Sequence, residues 1–427
     1  MTMPPRQLLR ALFDQAVARA VPERCLPPHL PPRPPGRLVV IGAGKAAAAM
    51  AAAVEAHYAH DARGLDGIAG AVVTRHGHGH PTSRIAVIEA GHPVPDMHGV
   101  EGARRLLALV EGLGPDDHVL CLISGGGSAL LTYPAPPITL DEMQALTRAL
   151  LRSGAAIGEM NAVRKHLSAI AGGRLAAAAH PAPILTLAIS DVPGDDPSTI
   201  ASGPTVADPT TREEAIAVLR RFAIEPPAAI ARRLADPACE TPKPGDARLA
   251  RARFAIVASA RESLAAAAAF AQSQGYTPLV LGDDIEGESR EIAAAHARLA
   301  LDIKAGRGPV RPPAAILSGG ETTVTVRGRG RGGRDAEYLL ALAIALGGAA
   351  GIHALAGDTD GIDGSEDNAG AIMTPDTLAR ARAAGIDPAA RLADNDAYGF
   401  FAGIGDLVVT GPTLTNVNDF RAILVDR

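Results

Sequence analysis

Val119-Leu120-Cys121-Leu122-Ile123-Ser124-Gly125-Gly126-Gly127-Ser128 is an apolar run that ends in a loop almost without side chains, and an apolar stretch resumes at Ala129-Leu130-Leu131. A short aliphatic run bounded by glycines reads as a buried strand. The loop behind it can turn backbone N–H groups toward an anion, and a helix that follows adds the positive end of its dipole. The junction recurs twice: Leu38-Val39-Val40-Ile41 runs into Gly42-Ala43-Gly44-Lys45 and an alanine-rich helix, and Ala314-Ala315-Ile316-Leu317 runs into Ser318-Gly319-Gly320-Glu321. Three such junctions in one chain point to an enzyme that grips phosphate groups.

Outward from these junctions, strands are expected at residues 38–41, 69–74, 85–90, 119–123 and 184–190, with helical patterns between most of them, one running from Lys45 to about His60. Such alternation means βαβ units and a parallel sheet. A segment rich in Pro, Asp and Gly at 236–246 interrupts the pattern, and 427 residues exceed what one hydrophobic core usually organises. Two domains are expected, an N-terminal Rossmann-like one at 1–240 and a C-terminal one at 250–427. The second half restarts as βαβ, but residues 321–326 alternate like a half-exposed strand, so an α/β domain with a mixed sheet is expected there.

Composition excludes several classes. A net charge of −5 with no basic stripe argues against a nucleic-acid partner. Cys25, Cys121 and Cys239 are too few and too scattered for a disulfide framework or a CxxC metal site, which suits a reducing, cytoplasmic setting. Leu8, Leu9, Leu12, Phe13, Ala16 and Val17 follow a helical period, read as a docking helix and not a signal peptide. The longest uncharged stretch, 338–357, is cut by glycines at 347, 348 and 351, so no membrane span is expected.

Lys45 is the first candidate for chemistry. Gly42-Ala43-Gly44-Lys45-Ala46-Ala47 fits a dinucleotide fingerprint, but the second strand ends in Thr74-Arg75, without the acid that NAD requires; NADP stays open. A lysine in the first turn of a helix opposes the dipole, which makes sense with an anion between them. No Walker A loop occurs. Two acidic loops could hold a metal, one with Asp191, Asp195 and Asp196 and one with Asp358, Asp360 and Asp363; the second fails as an EF-hand because Ile362 stands where an oxygen is needed. Magnesium asks only for one or two carboxylates, and each Asp taken singly could equally cap a helix or close a turn. Arg334 opens a helix and could fork onto a carboxylate or phosphate. Asn161, Arg164, Lys165 and Ser168 share one helix face, which commonly means a solvated face. His76, His78 and His80 alternate with glycine, but no fourth zinc ligand is visible.

Taken in order, several stretches resemble the type-2 glycerate kinase family with its C-terminal MOFRL domain. They are Ile41-Gly42-Ala43-Gly44-Lys45, Gly91-His92-Pro93-Val94-Pro95-Asp96, and residues 124–128, 161–174, 190–204, 318–322, 332–337, 360–370 and 411–419. The resemblance implies ATP- and magnesium-dependent phosphorylation of D-glycerate, usually on the 2-hydroxyl, at an active site in an interdomain cleft. It implies Lys45 and Arg334 as the catalytic pair. The working assignment adds Asp191 to the catalytic set. It gives phosphate binding to Ser124, Gly125, Gly126, Gly127, Ser128, Ser318, Gly319, Gly320 and Glu321, and magnesium to Asp191, Asp360 and Asp363. The family commonly reads Arg-Asn-Gln-Glu where this chain has Arg334-Asp335-Ala336-Glu337, which adds a negative charge beside Arg334. Some members are labelled hydroxypyruvate reductases, so an NADP-dependent reductase is the alternative. Homodimerisation stays open.

Overall fold

The computed structural model describes residues 3–427, which form two compact units. Cys25–Val257 makes one; the chain up to Arg24 joins Ala258–Arg427 in the other.

The Cys25–Val257 unit is built on a six-stranded sheet of β1 (Leu38–Ala43), β2 (Ile68–Arg75), β3 (Ile85–Ala90), β4 (His118–Ile123), β5 (Ile184–Ser190) and β6 (Ala252–Ser259), in the order β3-β2-β1-β4-β5-β6. The pairs β3·β2, β2·β1, β1·β4 and β4·β5 are all parallel. This is the doubly wound order, with its topological switch between β1 and β4. Every residue of β1 is buried, as a central parallel strand covered on both faces requires. Alanine dominates the helix Ala47–Tyr58 behind β1, and small side chains let it lie close to the sheet. That helix starts two residues later than expected, so Lys45 sits in the turn before it and not in its first turn. The helices Leu140–Ser153 and Arg212–Arg221 open with capping boxes, Thr139 with Glu142 and Thr211 with Glu214.

The second unit has a mixed sheet of β7 (Thr277–Val280), β9 (Ala314–Ser318), β11 (Ile352–Asp358), β12 (Gly370–Met373), β13 (Leu407–Val408) and β14 (Asp419–Val425), in the order β13-β12-β11-β14-β9-β7. Only β7·β9 is parallel. β8 (Gly287–Glu288) and β10 (Thr322–Thr323) form a separate short ribbon, so the half-exposed strand expected at 321–326 shrinks to two paired residues. The uncharged stretch at 338–357 divides into the helix Arg334–Leu346 and β11. Among the described residues no helix is long and apolar enough to cross a membrane.

Residues 3–24 group with Ala258–Arg427, whereas the expected N-terminal domain at 1–240 included them. The helix Pro5–Ala20 buries Leu8, Leu9, Leu12, Phe13 and Ala16 in a core shared with Leu264, Leu317, Leu355 and Phe420. The Phe13 and Phe420 rings meet edge to face at 6.1 Å, and Arg19 pairs with Glu262 at 2.9 Å. Each large apolar side chain removed from water stabilises this docking by about 2 kcal/mol.

Candidate active site

In the Cys25–Val257 unit the carboxyl ends of β1, β4 and β5 deliver Lys45, the glycine loop and Asp191 to one edge of the sheet, where doubly wound proteins bind their ligands. The β1 turn and the glycine loop are laced together. Gly44 N–H donates to Val73 O (3.1 Å), Lys45 N–H to Gly125 O (2.8 Å) and Ala47 N–H to Gly44 O (3.1 Å), while Ala46 N–H donates to Ser124 Oγ (3.0 Å). Gly44 holds a φ of 140°, and a Cβ there would fall 2.1 Å from Ser124 Oγ, so no other residue permits this approach. The Ser124 hydroxyl is therefore engaged in joining β1 to β4. By contrast, the N–H groups of Gly125 and Gly126 meet no acceptor among the described residues. The helix behind them is one turn, Gly127–Leu130, so the loop amides contribute more than the dipole that the sequence suggested.

Ser128 Oγ lies 2.9 Å from Ser202 Oγ. Ala201 and Ser202 hold left-handed φ values of 50° and 61°, a conformation costing roughly 1–2 kcal/mol per residue, and Ala201 packs over Gly127. Asp191 is half-buried and follows directly on β5. A cavity of about 400 Å³ opens beside Gly126, Ser128 and Ser202. Its walls come from the loop at 92–95, the helix Leu140–Ser153 and the helix Ile157–Leu167.

The face shared by Asn161, Arg164, Lys165 and Ser168 is not solvated. Asn161, Lys165 and Ser168 are buried; Lys165 pairs with Asp208 at 3.3 Å, and Ser168 Oγ accepts from the N–H groups of Ile170 and Ala171. Burial tends to raise the Asp208 carboxyl, but Lys165 and the Thr210 contacts outweigh it and hold the pKa down. Arg164 and Ser168 line the cavity, and the Arg164 guanidinium is unpaired among the described residues.

The second unit gathers a different set. Antiparallel pairing of β14 with β11 and β9 puts Asp419 opposite Asp358 and Arg421 opposite Ser318, beside the start of the helix Arg334–Leu346. Arg334 donates from Nε to Asp419 (2.6 Å), from Nη1 to Glu321 (2.6 Å) and from Nη2 to Asp358 (2.9 Å). Burial works against its charge, yet Asp419, Asp358 and Glu321 raise its pKa further above the ordinary arginine value. Arg421, fully buried, binds Asp419, Gly319 O (3.1 Å) and Thr322 Oγ1 (3.2 Å). In the loop 318–321, Gly319 N–H donates to Gly282 O at 2.9 Å, and Gly320 O accepts from Asp419 N–H at 3.2 Å. The Gly320 and Glu321 N–H groups meet no acceptor among the described residues, so this loop also keeps open amides, but it lies beside the carboxylates that hold Arg334.

The carboxylates expected to hold magnesium differ in what their oxygens do. Asp363 accepts Asp335 N–H (3.1 Å) and Ala336 N–H (2.8 Å), one on each oxygen, and so caps the helix Arg334–Leu346. Burial pushes its pKa up to about 7 against those two N–H groups. Asp360 Oδ1 accepts Ile362 N–H at 2.9 Å, closing a turn. Asp191 is the expected ligand in the same unit as the open loop amides, and a single carboxylate completed by phosphate oxygens and water suits magnesium. Asp335, which stands where the family commonly has Asn, is fully buried with neither carboxyl oxygen hydrogen-bonded; Arg421 Nε is 3.9 Å away. Burial, then Asp419 and Asp363, raise its pKa well above the carboxylate range.

Among the described residues one set of three metal-ligating groups lies within 4.8 Å: His76, Asp96 and His98. Asp96 Oδ2 is 3.1 Å from His76 Nε2 and 3.4 Å from His98 Nδ1, while Oδ1 caps the helix Met97–Val110 through Gly99 N–H. His78 and His80 are not part of it.

Asp358 was noted only as part of an acidic loop, and the partners Asp419 and Arg421 escaped the list of candidates drawn from the sequence. Their signal was present: Asp419-Phe420-Arg421 places two charges in a strand whose seven residues are all buried.

Residues 8–235 match a family model described as a domain of unknown function (DUF4147), and residues 314–419 match the MOFRL family. A protein of Agrobacterium vitis provisionally named hydroxypyruvate reductase is 56% identical over 98% of this chain and 94% of its own length. The D-glycerate 2-kinase of Thermotoga maritima is 38% identical, covering 97% of each chain. The crystal structure of a Thermotoga maritima glycerate kinase superposes with a TM-score of 0.89 at 38% identity, covering 98% of this chain and 99% of that one. The order of matched segments, the six-stranded parallel sheet followed by a mixed one, and the near full-length likeness in sequence and structure agree: the chain belongs to the glycerate kinase family.

Proposed function

We propose that the protein transfers the γ-phosphoryl group of ATP to the 2-hydroxyl of D-glycerate. The observation that carries this over NADP-dependent reduction of hydroxypyruvate is the allocation of backbone amides at the switch point. A dinucleotide enzyme presents the β1 turn to the pyrophosphate. Here the N–H groups of Gly44, Lys45, Ala46 and Ala47 are all bonded within the protein, and the open amides are those of Gly125 and Gly126.

In this reading Gly125 and Gly126 hold phosphate oxygens through their N–H groups, and the Ser128 hydroxyl adds a further donor. Lys45 neutralises charge developing on the transferring group. Phosphoryl transfer asks the protein mainly for alignment and charge compensation. The glycerate oxygen bonds to the γ-phosphorus as the bridging P–O bond to ADP breaks, and the hydroxyl proton passes to a carboxylate, for which Asp191 and Asp360 are the candidates. Asp191 would hold magnesium, whose positive charge screens the β- and γ-phosphates when bound. Arg334 is assigned the carboxylate of glycerate, since a planar guanidinium matches it bidentately.

The test is purified protein with D-glycerate, ATP and magnesium, the products resolved as 2- or 3-phosphoglycerate, beside NADPH with hydroxypyruvate. The expected outcome is glycerate-dependent ADP release with 2-phosphoglycerate and no NADPH oxidation. NADPH consumption without a phosphorylated product overturns the reading.

A further inference from the structure

The cavity beside the glycine loop has a lining that describes its ligand. No aspartate or glutamate faces it, whereas Arg148 and Arg164 do, and neither guanidinium has a partner among the described residues. For Arg164 this is costly, because the side chain is largely withdrawn from water and burial lowers its pKa below the ordinary arginine value. A buried cation kept without a counter-charge in a concave site is set up for an anionic ligand.

The rest of the lining is apolar. Met143 and Met160 are buried in its wall, and methionine adapts well to flat or irregular ligands. Val94, Leu151 and Ile157 stand 64%, 60% and 61% exposed around it, a concentration of large apolar side chains in water that a bound apolar body would cover. The loop at 92–95 is fastened to the opposite wall by Gln144 Nε2, which donates to Pro95 O at 2.8 Å, so the cavity is held open by the fold. Glycerate has three carbons, and a volume of about 400 Å³ lies in the range that buries drug-sized ligands. The ligand must combine an apolar body with negative charge, and Gly126 and Ser128 belong both to the lining and to the loop with open amides.

We infer that this cavity receives the base and ribose of the phosphoryl donor, a purine nucleoside triphosphate, with Arg164 as counter-charge to the phosphates that start at Gly126 and Ser128. The inference rests on the kinase reading above and deepens it: the donor's body lies against the helices Leu140–Ser153 and Ile157–Leu167, and not in the β1 turn where a dinucleotide would lie.

The chain contains no tryptophan, so Leu151→Trp at the cavity mouth gives a single-site fluorescent reporter, and its exposed position makes misfolding a minor concern. Leu301→Trp, on a helix of the other unit, serves as the control. ADP is expected to shift the emission of the Leu151→Trp protein saturably, with D-glycerate alone silent and the control unmoved. Arg164→Ala is expected to weaken ADP binding and raise the KM for ATP by about tenfold or more, leaving the KM for glycerate within about twofold. Arg164→Lys should recover part of the loss, since it keeps the charge without the fork. A reporter that answers to glycerate and not to ADP overturns the proposal, as does an Arg164→Ala protein that binds ADP like the wild type. The titration needs neither acceptor nor turnover, so absence of glycerate phosphorylation in the wild type would sink the functional reading, while ADP saturation at Leu151→Trp decides the cavity separately.

Discussion

Replacing Gly126 by alanine tests the glycine loop against a control that the same unit supplies. Gly126 has a φ of 79°, and a Cβ there would fall 2.8 Å from His92 Nε2 and 2.9 Å from its Cδ2. Gly154, at the end of the helix Leu140–Ser153, has a φ of 75° with nothing within 4 Å of an added Cβ. Gly154→Ala therefore reports the left-handed backbone term alone, about 1–2 kcal/mol. Gly126→Ala carries that term and must also displace the His92 ring or relax its own φ, which adds about 1–3 kcal/mol of overpacking. Relaxing φ swings the loop amides away from the anion. Loss of one preorganised donor to a developing charge costs about 3 kcal/mol in the barrier, a fall in kcat/KM for ATP of roughly 100-fold. Because the protein has two units, a single unfolding midpoint is a poor measure; hydrogen exchange of the sheet β1–β6 gives the opening free energy of the relevant unit. Kinetics with varied ATP give the second number. Equal losses of stability in the two variants, with wild-type kcat/KM in Gly126→Ala, would refute both the His92 contact and the phosphate-binding role of the loop.

Three further outcomes are expected. Lys45→Ala should lower kcat by about 100-fold or more with unchanged hydrogen-exchange protection of the sheet β1–β6, since its side chain is assigned to the transferring group; wild-type turnover in the folded variant would remove that role. Asp335→Asn should flatten the dependence of stability on pH: the folded-state pKa of Asp335 is raised, so its contribution is intact below the usual carboxylate pKa of about 4 and is lost as pH rises through the raised value. Hydrogen exchange of the helix Arg334–Leu346 in wild type and variant at pH 5 and 8, corrected for the intrinsic rates, checks this, with identical changes in opening free energy counting against a buried neutral acid. Glu321, with a half-exposed side chain on Arg334, would compete with glycerate if Arg334 takes the acceptor as proposed, so Glu321→Gln should change stability by no more than about 1 kcal/mol yet lower the KM for glycerate; an unchanged KM would separate Arg334 from the acceptor.

The sheet of the Cys25–Val257 unit was legible because its strands are aliphatic runs of near-uniform burial, a pattern set by local sequence. The glycine loop was legible for the same reason, being defined by its own residues. What escaped is what only pairing creates. Asp419 and Arg421 acquire their meaning from a register with Asp358 and Ser318 that lies across some sixty to a hundred residues of chain. The loops at 124–128 and 318–321 read alike, yet one opens on a cavity lined by no carboxylate while the other carries Glu321 paired with Arg334. Asp363 shows the limit from the other side: its capping partners, Asp335 and Ala336, precede it by 28 and 27 residues, so no local motif announces the cap. Arg164 could not be told from its neighbours Lys165 and Asn161 by helical spacing, because the difference is the presence of Asp208 for one and of a cavity for another.

The docking of the helix Pro5–Ala20 onto a core made of residues beyond 258 has a consequence for how the protein is made. During synthesis this helix leaves the ribosome before the Cys25–Val257 unit, while its partners Leu264, Leu317, Leu355 and Phe420 emerge after that unit. At roughly 5–20 residues per second, the interval for the last of these is on the order of tens of seconds. Once Val257 has emerged the Cys25–Val257 unit, continuous in sequence, is free to fold, while Leu8, Leu9, Leu12 and Phe13 wait as an uncovered apolar stripe. A ribosome stalled in the last quarter of the message therefore leaves a nascent chain with one finished unit and one adhesive leading helix, a natural client for a holding chaperone.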